Sequence, residues 1–205
     1  IMERNHGNLI GFRPDIKVVD CTLRDGGLVN NFEFSDEFVK DLFECNKQSG
    51  VDYMEFGYKA SKKLFDVNKF AKWKFCDEDD IINVVGDNKG DLKVAVMADV
   101  GRCDYKNDII DRSNSAIDMV RVATYINTMP AAIDMIEDAH RKGYETCVNI
   151  MAISKVQEDE LMKGLELNER AENEFLDQSM VAIQGESAMV RRAASTALRK
   201  YASQQ

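Results

Sequence analysis

Continuous apolar runs and amphipathic stretches alternate along this chain. Five runs rich in β-branched and aliphatic residues read as buried strands, near 16–22, 52–58, 92–99, 117–124 and 145–153. Between them lie stretches with the helical period. Phe38, Val39, Leu42, Phe43 and Asn46 share a helical face behind Ser35 as N-cap, with Asp36 and Glu37 in the first turn and Gly50 as the stop. Asp77 to Val85 forms a second helix capped by Asp77, and a polar helix is expected over 105–114. Met129 to Lys142 forms another, with Pro130 near its start and Gly143 at its end, and Val156 to Leu167 begins a further one. Residues 59–76, basic and aromatic, read as a loop or lid with short helical pieces. The crossover lengths suit parallel βαβ units.

Chemistry concentrates where these strands end. In Val18-Val19-Asp20-Cys21-Thr22-Leu23-Arg24-Asp25-Gly26-Gly27 the pattern predicts a largely buried strand that Gly26 and Gly27 break into a loop. Asp20, Arg24 and Asp25 then cluster at its carboxyl end, where buried polar groups need partners. An arginine beside two carboxylates is either a plain ion pair or a site in which Asp binds a metal and Arg holds an oxyanion. Glu55, Asp99, Arg121 and Thr124 stand at the ends of the other strands. In a parallel barrel all these ends share one face, and that is the face that carries the chemistry.

Composition narrows the picture. The 205 residues are 44% hydrophobic, enough for one sizeable core, and the net charge of −9 argues against nucleic acid or an anionic membrane surface as partner. No apolar run approaches the roughly 20 residues of a bilayer span. The N-terminal stretch has no apolar signal core, and the 5 cysteines include no C-x-x-C pair. They read as reduced thiols in a cytoplasmic protein. From Asn168 the character changes to a polar, helix-prone stretch, a short apolar patch around Met180, Val181 and Ile183, and an Ala- and Arg-rich segment from Glu186 to Tyr201 with helical spacing. No β-rich run is expected after the fifth strand. The division falls into residues 1–167 and a helical tail, 168–205.

Asp-Cys-Thr-Leu-Arg-Asp-Gly-Gly at 20–27 resembles the first-strand motif of metal-dependent lyases and aldolases built on a TIM barrel, a group including 3-hydroxy-3-methylglutaryl-CoA lyase, isopropylmalate synthase and 4-hydroxy-2-oxovalerate aldolase. Met-Glu-Phe-Gly-Tyr at 54–58 is similar to the second-strand motif of the group. Val-Arg-Val-Ala-Thr at 120–124 and the segment 143–151 look most like the hydroxy-oxovalerate aldolases. The resemblance covers about 11–167. It implies an α/β fold of TIM-barrel-like βα repeats, here a partial barrel of about five parallel strands followed by the helical segment. It also implies a divalent-metal aldolase acting on a small-molecule 2-oxo acid. Asp25 would be a ligand of Mg²⁺ or Mn²⁺, Arg24 would stabilise the pyruvate enolate, Arg121 and Thr124 would hold the substrate carboxylate, and Glu55 would orient Arg24.

The departures define an alternative. The aldolases carry a basic histidine just after the Arg-Asp-Gly segment, where this chain has Gly27-Leu28-Val29-Asn30-Asn31. Their metal site is completed by an H-x-H pair on a later strand, whereas this chain's 2 histidines are His6 and His140. A barrel-derived binding or interaction protein without catalysis is therefore the competing expectation. The oligomeric state, homo-oligomer or monomer, is left open by the sequence.

Overall fold

The computed structural model describes residues 16–87, 89–175 and 180–183, with side chains described as far as Leu167. The lead-in with His6 and the expected helix over 186–201 lie outside the described residues. Among the described residues six strands, β1 (Val19–Asp20), β2 (Tyr53–Tyr58), β3 (Lys93–Asp99), β4 (Met119–Thr124), β5 (Glu145–Ile150) and β6 (Met180–Ile183), pair in parallel in strict sequence order. A doubly wound sheet reverses its strand order at a switch point; this one never does, so it curves as an arc of a barrel with its helices on one side. The carboxyl ends of all strands therefore open on the same rim.

Alternation fixes what each face carries. Met54, Phe56, Val94, Val96, Ala98, Val120, Val122, Val148 and Ile150 turn outward into the main core. There they meet Val39 and Phe43 of α2 (Asp36–Ser49), Ile81, Val84 and Val85 of α3 (Glu78–Val85), and Ala132, Met135, Ile136 and Ala139 of α5 (Met129–Arg141). The inner face begins with a small apolar layer of Tyr53, Ala95, Met119 and Cys147. Ser35 caps α2 through its hydroxyl, which accepts from Phe38 N at 3.2 Å, and Gly50 ends the helix at φ +72°. Both follow the expected signals.

Four expectations need correction. The first strand is not 16–22 but two residues, with Ile16 and Val18 exposed rather than buried. The Asp20 carboxylate explains the early stop: it accepts from both Thr22 N (2.8 Å) and Thr22 Oγ1 (2.6 Å), and so starts a helix instead of prolonging a strand. That helix, α1 (Thr22–Asn30), runs straight through Gly26 and Gly27, which were expected to open a loop. The glycine at 27 serves close packing, because a Cβ there would lie 2.1 Å from the buried Phe32 ring. The polar helix over 105–114 reduces to one turn, α4 (Tyr105–Asp108), and a 3-10 turn at Arg112–Asn114. Finally, a strand does follow the fifth. Met180–Ile183, the apolar patch of the tail, pairs with β5 through Cys147↔Met180 to Ile150↔Ile183. Helix α6 (Glu158–Phe175) leads into it, crossing position 167.

The two glycines of α1 should separate in experiment. Gly27→Ala is expected to cost about 1–3 kcal/mol by overpacking against Phe32. Gly26→Ala, whose added carbon meets the Phe34 ring at 3.4 Å, should be neutral or gain up to about 1 kcal/mol from helix propensity. Urea unfolding of the pair checks this, and equal effects would show that α1 does not close over Phe32 as described.

Candidate active site

A single buried carboxylate organises the open rim of the arc. Glu55, on β2, is fully buried, and each of its oxygens is bonded by a different arginine. Arg24 Nε donates to Oε2 at 2.8 Å and Arg121 Nη1 donates to Oε1 at 2.9 Å. The two guanidinium side chains are themselves only 10% and 11% exposed. Such groups do not sit in a core unless each charge finds partners. Burial, the largest single influence, disfavours both cations, yet the Glu55 charge together with smaller attractions from Glu55 hydrogen bonding and neighbouring Tyr58 and cysteine groups holds Arg24 and Arg121 above the ordinary guanidinium value. Three elements are tied by these bonds: α1 through Arg24, β2 through Glu55 and β4 through Arg121.

Around this core lie further groups. Asp25 accepts from Arg24 Nη1 at 2.5 Å from an exposed position on α1. Cys21 Sγ lies 3.7 Å from Arg121 Nη1, and burial together with the Glu55 charge pushes its thiol up to about 11. Tyr58 reaches the inner face because β2 carries a bulge between Glu55 and Tyr58: Glu55 stands opposite Ala95 while Tyr58 stands opposite Met97. Gly57 makes this bulge possible, since a Cβ there would lie 1.8 Å from the Trp73 carbonyl oxygen. The Tyr58 hydroxyl is held up by burial and by Asp99, against the opposing pull of Arg24. Asp99, at the end of β3, is half-buried.

The structure thus brings Arg24, Asp25, Glu55 and Arg121 together. It does not bring Thr124. Thr124 falls on the helix-facing side of β4, and its hydroxyl is engaged with Thr128 Oγ1 (2.8 Å) and the Tyr125 carbonyl (3.0 Å) at the turn into α5. Tyr58 and Lys74 were missed by sequence reasoning. The glycine in Met-Glu-Phe-Gly-Tyr was the available signal for Tyr58, because a glycine inside a strand marks a bulge. Nothing local marks Lys74, which comes from the segment folded over the rim.

A divalent ion prefers six or more oxygen ligands, waters included. Among the described residues no group of three or more His, Cys, Asp or Glu side chains is placed to hold one. Asp25 is already bonded to Arg24, and Glu55 is bonded by two arginines. The described donor set does not fit a metal site by itself. Among the described residues no helix is long and apolar enough to cross a membrane.

No family profile matches the chain. It is 24% identical over 161 residues to 4-hydroxy-2-oxovalerate aldolase 6 of Rhodococcus jostii (strain RHA1), a match covering 76% of this chain and 43% of that protein. It is likewise 24% identical over 157 residues to the 4-hydroxy-2-oxovalerate aldolase of Bacillus cereus (strain ATCC 10987 / NRS 248), covering 77% and 45%. The crystal structure of the N-terminal domain of a candidate aldolase from Bacteroides vulgatus matches with a TM-score of 0.69 at 22% identity, over 90% of this chain and 60% of that one. This chain spans less than half the length of the curated relatives it matches. It resembles 4-hydroxy-2-oxovalerate aldolases over about three quarters of its length, and it shares its fold with the Bacteroides domain.

The buried trio should behave as a unit. Glu55→Ala leaves two desolvated guanidiniums without their shared partner and is expected to cost about 3–5 kcal/mol. Replacing all three at once (Arg24→Met, Glu55→Leu, Arg121→Met) should cost clearly less, because no unpaired charge remains. Denaturant unfolding of the two proteins is the check, and a triple variant worse than the single one would refute the pairing.

Proposed function

We propose that this chain carries the enolate-holding part of an aldolase-type site, acting on a C–C bond next to a 2-oxo acid of the 4-hydroxy-2-oxo acid class. The observation that carries the reading is the buried Arg24–Glu55–Arg121 network at the carboxyl ends of parallel strands. Glu55 occupies Nε of Arg24 and Nη1 of Arg121, which fixes both guanidinium planes. Arg24 Nη1 is further engaged by Asp25, and Arg121 Nη1 also lies against Cys21 Sγ; the N–H groups that these bonds leave are the ones proposed to meet an anion. Asp25, bonded to Arg24 from an exposed position, balances part of the guanidinium charge; the two buried guanidiniums are the proposed partners of the carboxylate and the developing enolate oxygen of pyruvate. A donor of this kind is worth about 3 kcal/mol to a developing oxyanion.

Arg24 is the proposed enolate donor, Arg121 the proposed carboxylate donor, and Glu55 the residue that orients both. Asp25 is the residue that the resemblance would make a ligand of Mg²⁺ or Mn²⁺, though the described residues around it do not make such a site by themselves. When bound, such an ion would polarise the 2-oxo group. No step here depends on it. The second reading, a barrel-derived protein that binds 2-oxo acids without turnover, is favoured by the lack, among the described residues, of three or more His, Cys, Asp or Glu side chains placed to hold a metal, and by the absence of a histidine at 27–31.

The test is pyruvate release from a 4-hydroxy-2-oxo acid, together with binding of pyruvate by calorimetry. The aldolase reading expects both; binding without release supports the second reading; neither refutes both. Arg24→Lys keeps the charge but loses the planar fork. It is expected to lower turnover by about a hundredfold with a small change in melting temperature. Collapse of stability with unchanged turnover per folded molecule would make Arg24 a purely structural ion-pair residue.

A further inference from the structure

Cleavage of a 4-hydroxy-2-oxo acid needs a group that moves a proton, and the rim holds a carboxylate besides Asp25 and Glu55. Asp99 ends β3 in register with Ala123 of β4, on the same inner face as Met97 and Arg121. Glu55 is bonded by two arginines and Asp25 by one. The Asp99 carboxylate, by contrast, enters no hydrogen bond and no ion pair with another described residue. Charged and titratable groups nevertheless face it from every neighbouring element. These are Arg24 of α1, Glu55 and Tyr58 of β2, Lys74 of the 3-10 turn at Lys72–Lys74, and Arg102 and Cys103 of the loop after β3.

Lys74 explains how a cation can stand near Asp99 without pairing with it. Its ammonium is surrounded by the rings of Tyr58, Phe65, Phe32 and Phe70, with centroids at 4.3, 4.4, 5.1 and 5.7 Å. Ring faces hold a cation electrostatically and ask for no carboxylate. Phe32 keeps its place in this cage through a left-handed backbone, φ +65°, and a T-shaped contact with Tyr58. Burial raises the Asp99 carboxyl above its ordinary value, while Lys74, Arg102 and Arg24 pull the other way.

We propose that Asp99 is the general acid–base group of this site, accepting the C4 hydroxyl proton of a 4-hydroxy-2-oxo acid and delivering it to C3 of the enolate. The proposal rests on the aldolase reading. As Asp99 takes the proton, the O–H electron pair forms the aldehyde carbonyl. The C3–C4 pair moves to C2–C3, and negative charge collects on the C2 oxygen toward Arg24. Return of the proton to C3 gives pyruvate. Substrate and products balance, with the hydroxyl proton carried to carbon and no oxidant or reductant consumed.

The experiment follows exchange of the pyruvate methyl protons in D₂O by NMR across pH, with pyruvate binding measured in parallel, on the full chain and on Asp99→Asn, Asp99→Glu and Lys74→Met. Asp99→Asn is expected to lose about a hundredfold or more of the exchange rate while binding pyruvate within about threefold of wild type. Asp99→Glu should recover part of the rate. Wild-type exchange should fall as pH drops through the raised carboxyl value, because the base must be ionised. Lys74→Met removes a cation that favours the ionised form, so this acid limb should move to higher pH. Exchange by folded Asp99→Asn within about threefold of wild type, or an acid limb unmoved in folded Lys74→Met, overturns the assignment and leaves the aldolase reading standing. Wild type that binds pyruvate without exchange, or does neither, overturns the assignment together with the reading on which it rests.

Discussion

Glu55 is the group on which the rest depends. A fully buried carboxylate is stable in a protein interior when cations and hydrogen bonds replace the water it has lost. Here the replacements come from two places far apart in sequence, Arg24 on α1 and Arg121 on β4. Satisfying one charge therefore fixes the first helix against the second and fourth strands. It also determines which donor atoms of the arginines are spent. The bonds that hold the first part of the arc together are thus the ones proposed to orient its anion site.

The inner face is layered accordingly. Tyr53, Ala95 and Met119 fill the amino end with apolar bulk. Tyr53 adds a hydroxyl bond to Glu145 at 2.7 Å, where Lys93 also pairs with Glu145. The Glu55 trio comes above, and Asp99, Tyr58 and Lys74 gather at the carboxyl rim. The gradient from packed to charged groups lets fold stability and chemistry occupy different depths of the same strands. The curated relatives are more than twice as long as the stretch that matches them, so the arc corresponds to part of such a protein.

Much of the arc was legible because β2 to β5 are largely buried runs rich in aliphatic residues, a mark of parallel strands. The capping residues of α2 were equally legible, since Ser35 and Gly50 act within their own turn. Legibility failed where a distant partner decides. Asp20 reads as the end of a strand, but it bonds Thr22 N and also accepts from Asn46 Nδ2 of α2. Gly27 reads as a breaker until the Phe32 ring is known to lie against it. Thr124 follows Arg121 by three residues, which turns it to the opposite face of β4. Tyr58 is moved to the inner face by a bulge that depends on the Trp73 carbonyl, and Lys74 arrives from the folded-over segment. Arg24, Glu55 and Arg121 were recognisable as charges at expected strand ends; that Arg121 shares Glu55 with Arg24 depends on the register of β2 to β4 and on α1 carrying Arg24 back over β2.

The central claim is that Arg24 and Arg121, fixed by Glu55, present donors to an anionic 2-oxo acid. The most direct measurement is a titration of the protein with oxalate, a planar mimic of the pyruvate enolate, followed through the arginine side-chain N–H resonances in ¹⁵N NMR spectra and assigned with Arg24→Lys and Arg121→Lys. The account predicts resolved, slowly exchanging Arg24 and Arg121 signals without ligand and saturable shifts of both with oxalate. Signals of a folded protein that stay unmoved at Arg24 and Arg121 as oxalate saturates would contradict it.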